Sequence, residues 1–128
     1  MSDAKVTLHY AKLKALDRAA IRALEKTTEA IHTDIVQAQV IPFETGHLQN
    51  DSTDCDFSEV QSGHTEIVSS TPYARRLYYH PEYNFRTDEN PNAKGRWFED
   101  WEAGGSRAGY AGEAFAKFMR QEAGNGIS

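Results

Sequence analysis

Five histidines, His9, His32, His47, His64 and His80, are the side chains of this sequence best suited to metal or acid–base chemistry. No two stand at the i, i+4 spacing that lets one helix face present a pair to zinc, and each falls in a different predicted element. The single cysteine, Cys55, can form neither an internal disulfide nor a multi-cysteine zinc site, and reads as a small half-buried apolar residue. Asp51, Asp54 and Asp56 lack the ligand spacing and the glycine of a calcium loop. Asp54 and Asp56 fit a solvated strand face better. Ser52, Ser58, Ser69 and Ser70 have no nucleophile-elbow context. Gly104-Gly105 has no following lysine and no preceding strand, so it reads as a flexible joint and not as a phosphate cradle. His80, Asn84 and Asn90 share residue types with HNH-like nucleases, at poor spacing and without metal-binding partners. The expectation is a chain with no catalytic residue, no metal and no cofactor.

What stands out is a concentration of aromatic and arginine side chains between Tyr73 and Trp101. Tyrosine, tryptophan and arginine are the residues that most often anchor protein–protein interfaces. Arg75, Arg76, Tyr79, Tyr83, Phe85 and Trp97 are the expected contacts. The competing reading is that the same side chains fold back over a small core and cap the long helix.

The elements that position them follow from periodicity. Val6, Leu8 and Tyr10 alternate with polar residues, as in a short strand or an extended arm. Leu13, Leu16, Ile21, Leu24, Thr28, Ile31, Ile35 and Ala38 recur at spacings of three and four, the period of one helix face. No Gly or Pro interrupts Ala11 to Val40, which predicts one helix of roughly 25 to 30 residues. Pro42 should end it, because proline disfavours helical geometry in the residue before it. Gly46 is expected in a turn with positive φ. Thr53, Cys55 and Phe57 form one alternating strand and Thr65, Ile67 and Ser69 another, joined by a turn at Gln61, Ser62 and Gly63 into an antiparallel hairpin. Thr71 fits an N-cap and Pro72 a first helical position, with Tyr73 and Leu77 one turn apart on one face. Glu82 to Arg96 reads as a long polar loop closed by Trp97, Phe98 and Trp101. Tyr110, Ala114, Phe115, Phe118 and Met119 mark an amphipathic C-terminal helix. The predicted class is α+β: a long N-terminal helix packed on a small antiparallel sheet, with short helices and a long aromatic-flanked loop.

The whole chain has 128 residues, 39% of them hydrophobic and 26% charged, which suits one domain over 1–128 with a modest core. The net charge of -5 argues against binding driven by release of counterions from DNA. The first residues contain no apolar run of the kind a signal peptide needs, and no stretch approaches a membrane span. The expected compartment is the cytoplasm.

The run from Ile41 to Trp101 resembles a known family. IPFETGHLQNDS looks like the opening of phage minor capsid proteins, carried by Ile41, Pro42, Thr45, Gly46, Leu48 and Ser52. TPYARRLYYHPEYNFRTDENPNAKGRWFEDW resembles the same family's segment in siphophages and prophages, through Thr71, Pro72, Tyr73, Ala74, Arg75, Tyr78, His80, Pro81, Asn84, Asn90, Pro91, Gly95, Trp97 and Phe98. The TG-x-L and PYA pattern also occurs in tail-completion proteins of the phage neck. The resemblance implies a structural virion protein of the head–tail junction, without enzymatic activity or cofactor. It implies a homo-oligomeric ring in the virion, built from subunits that are monomers in isolation and made in the host cytoplasm. The implied partners are a portal or adaptor, a stopper, and a tail terminator or tail tube. DNA would pass through the ring without sequence-specific binding, and no membrane is involved. Two other readings compete: a small metal-dependent phage nuclease centred on His80, and a host-directed interaction module.

Overall fold

A computed structural model describes residues 4–9, 18–42, 53–85, 87–102 and 104–126. The class is α+β, with one antiparallel sheet and three α-helices among the described residues. β1 (Ala4–His9), β2 (Thr53–Asp56) and β3 (His64–Ser69) lie in the order β1-β3-β2, with β3 central and antiparallel to both neighbours. The alternation at the N-terminus therefore belongs to a sheet strand and not to an arm, and Val6 pairs with Ile67 in register. β2 and β3 are the expected hairpin. A single 3-10 turn (Val60–Ser62) and Gly63, at φ 86, carry the chain between them.

α1 (Arg18–Gln37) lies across one face of this sheet. Its apolar stripe is the expected one: Leu24, Thr28, Ile31 and Ile35 are buried against it. Along β3, Thr65, Ile67 and Ser69 point inward, while His64, Glu66 and Val68 alternate to the opposite, half-buried face, as a period of two requires. Two hydroxyls inside the layer satisfy each other, Thr28 Oγ1 and Thr65 Oγ1 at 2.7 Å. Thr53 and Ser69 form a second such pair across β2 and β3, also at 2.7 Å.

α1 stops at Gln37, ahead of Pro42, and Gln39 turns the chain with a left-handed φ of 59. Its end is determined by a distant segment. The Asn92 side chain donates to the Ala38 carbonyl and the Asn92 N–H to Gln39. Lys94 N–H donates to Val40, and the buried Asn90 amide donates to Ile41 at 2.7 Å. Unsatisfied carbonyls at a helix end need such partners, and leaving the helix early turns them toward this loop.

α2 (Pro72–Tyr78) begins as expected, with Thr71 Oγ1 accepting from Ala74 N–H at 3.0 Å and Pro72 in the first turn. Its inner stripe is Ala74, Leu77 and Tyr78, so Tyr73 does not join Leu77 inside. α3 (Tyr110–Gly126) packs on the side of α1 away from the sheet. Leu13, Leu16, and the motif and turn positions Thr45, Gly46, Leu48 and Ser52 lie outside the described residues. No helix among the described residues is long and apolar enough to cross a membrane.

Candidate protein interface

The segment from Thr71 to Trp101 divides into side chains that build the fold and side chains that face outward. Trp97 and Phe98 are completely buried, and Trp101 nearly so. Tyr78 meets Trp97 edge-on at 4.9 Å between ring centroids. Trp97 was expected among the interface contacts; it is a core residue and the folded chain presents none of it. The loop is likewise less free than its polarity implies, because Asn90, Asn92 and Lys94 bind it to the end of α1. Arg96 N–H donates to the Tyr78 carbonyl at 3.0 Å. Gly95 rests on Pro81 so closely that an added Cβ would lie 2.6 Å from the proline Cα.

The other expected contacts are at or near the surface. Arg76 is exposed and Arg75 half-buried on α2. Tyr79 ends α2, its ring edge-on to Tyr78, and the Arg96 guanidinium lies 5.7 Å above it. His80 stacks flat on Tyr83, 4.8 Å between centroids and 7° from parallel. His80 Nδ1 is 2.8 Å from Glu82 Oε2, and this hydrogen bond holds the Glu82 carboxyl below its ordinary pKa. Tyr83 leads on to Phe85 at 6.4 Å, and Phe85 packs partly against the core. The result is a run of rings, His80, Tyr83 and Phe85, that starts at the surface and ends at the core.

Tyr73 and Tyr83 are the large apolar side chains left most exposed among the described residues, at 46% and 41%. Tyr73, His80 and Arg96 also lie at the surface, beyond the six contacts expected from the sequence. The signal for Tyr73 was available: in a helix beginning at Pro72, the stripe containing Leu77 and Tyr78 runs through Ala74.

A cleft of about 600 Å3 opens beside the end of α1 between Gln37, Asn92, Lys94, Trp101 and Arg107. Its charges are paired: Lys94 with Asp100 at 2.9 Å, and Arg107 with both Asp34 oxygens at 3.0 and 2.9 Å. Trp101 Nε1 also donates to Asp34. The cleft is a cross-braced junction, with little charge left for a ligand. Among the described residues no three His, Cys, Asp or Glu side chains are placed to share a metal ion. His32, His64 and His80 stand on α1, on β3 and after α2, respectively.

The chain matches no protein-family model, no curated protein and no solved structure.

Proposed function

We propose that this chain is a structural protein of a tailed-phage virion, acting at the head–tail junction through contacts with neighbouring subunits and not through catalysis. The observation that carries this reading is how the Thr71–Trp101 segment, which resembles phage minor capsid proteins, is used. Thr71, Ala74, Tyr78, Asn90, Gly95, Trp97 and Phe98 serve the fold. Tyr73, Arg76, His80 and Tyr83 are held outward on that rigid base. Aromatic and arginine side chains presented in this way suit a subunit contact: a ring buries a large area with few internal rotations, and a guanidinium offers several hydrogen-bond donors in a planar fork. The partners would be further copies in a ring and the adjoining portal-side or tail-side proteins. An acidic net charge of -5 suits a passage that DNA must traverse without sticking.

Gene order tests the assignment first: genes for a portal and a tail-tube protein on either side support it, and a cluster of host-takeover genes sinks it. Mutation tests the surface. Tyr83→Ala combined with Arg76→Ala should leave the purified chain folded, with a change of under about 1 kcal/mol. Particles carrying the pair should show filled heads and unjoined tails. Trp97→Ala is the contrasting control and should cost roughly 3–5 kcal/mol, as for other buried aromatic truncations. Normal particles from the double variant would remove the interface from this surface. DNA cleavage with magnesium or manganese, abolished by His80→Ala, would favour the nuclease reading instead.

A further inference from the structure

α3 is held differently from the rest of the fold. Among the side chains whose burial is described, every fully buried apolar one lies between Ala4 and Trp101, and no apolar one on α3 is fully buried. Tyr110 and Phe115 reach the core but stay partly exposed. The buried side chain that α3 does contribute is Glu122, and charge holds it: Lys26 and Arg22 reach it from α1.

The helix is also weak as a helix. Gly112 and Gly124 sit within it, and a Cβ added at either would meet nothing within 4 Å. Packing does not ask for glycine there, yet each glycine lowers helix formation roughly fivefold relative to alanine. A free segment of this length is marginally helical in water, so leaving α1 means melting. The pivot is equally plain. Arg107 is tied down by its N–H to the Asp100 carbonyl and by its guanidinium to Asp34. The next residues, Ala108 and Gly109, precede α3, and Gly109 is exposed with open space around its Cα.

We propose that α3 is an exchangeable strap: it leaves α1 as a unit while the sheet, α1 and α2 stay folded, and the site it vacates is refilled by α3 of a second copy. The second copy is the fitting occupant because its Glu122 meets the same Lys26 and Arg22, and its Tyr110 and Phe118 would again line, with Ala30, the groove of about 220 Å3 between the two helices. An exchange that remakes every contact has little net energetic cost, so protein concentration governs it. The inference stands on the attachment of α3 alone and not on the virion reading.

Hydrogen exchange on the full chain tests the release. α3 amides beyond the first turn should exchange together, at least roughly tenfold faster than those of α1 and β3. Gly112→Ala with Gly124→Ala should slow them roughly 30-fold and leave the rest of the chain unchanged. Exchange of α3 in step with α1, or no slowing in the alanine pair, overturns the strap. The exchange between copies is tested by mixing an Ala30→Cys protein with an Ala114→Cys protein under mild oxidation. A disulfide joining positions 30 and 114 of different chains is expected, rising with concentration and suppressed by the two alanines. Each variant oxidised alone controls for Cys55. Fast α3 amides without the mixed disulfide overturn the second-copy assignment.

Discussion

Cys55 shows how a residue of reactive type is made inert by its place. Its thiol is half-buried on β2 and points to the Thr28 carbonyl of α1, 3.9 Å away. Burial, with the negative charges of Glu29 and Asp54 nearby, pushes its pKa from 9.0 up to about 11. The thiolate is the reacting form, so alkylation by iodoacetamide at pH 8 should run roughly a hundredfold slower than for a free cysteine. Mass-spectrometric labelling measures this directly, and labelling at the free-cysteine rate would contradict the burial. Trp97 is the opposite case, a residue of interface type put to structural use. Its indole Nε1 is buried without a hydrogen-bond partner among the described residues, and its ring packs against Tyr78 and Phe98. Tryptophan suits a core or an interface equally well, and only tertiary placement separates the two.

At the scale of elements, legibility followed locality. The α1 stripe, the hairpin and the Thr71-Pro72 helix start were readable because each is a pattern within a few residues. The end of α1 was not. Pro42 was the local stop signal, but the stop comes at Gln37, and the carbonyls of Ala38 to Ile41 just beyond it are bound by Asn90, Asn92 and Lys94 from far along the chain. No periodicity announces a bond between residues so distant. The same blindness made Glu82 to Arg96 read as a polar loop throughout, when its second half binds the chain just past α1. Of the expected contacts, Tyr83 and Arg76 are exposed, Arg75, Tyr79 and Phe85 are half-buried and Trp97 is buried, while Tyr73, which opens the aromatic and arginine concentration, is exposed. The capping role yields a prediction. Asn90→Ala leaves the buried Ile41 carbonyl without its partner and should cost roughly 1–3 kcal/mol. Thr71→Ala removes an exposed-side cap and should cost about 1 kcal/mol. Urea unfolding of both variants ranks them, and a smaller loss at Asn90 would contradict the cap.

As a whole the molecule is layered: α3 on α1, α1 on the sheet, and the far face of the sheet polar. Glu66 stands in that far face, with Lys5 Nζ at 2.9 Å, Thr7 Oγ1 at 3.3 Å and His64 Nε2 at 3.4 Å. Burial alone would raise its pKa, but the bonds from Lys5, His64 and Thr7 outweigh burial and lower it below 4.5. A carboxyl whose folded pKa is depressed contributes stability above its unfolded pKa and loses it as pH falls through the folded value. The stability gap between the native chain and Glu66→Gln should therefore be constant near neutrality and close below about pH 4.5; a gap that widens in acid would contradict the ion cluster. The layering also sets an order of events during synthesis. α1 leaves the ribosome before β3, its central strand of contact, and well before Asn90 to Lys94, which bind the carbonyls of Ala38 to Ile41 just past its end. Until then the growing chain carries an amphipathic helix with a bare apolar stripe and open carbonyls, which makes this interval its most vulnerable to chaperones and to misassociation.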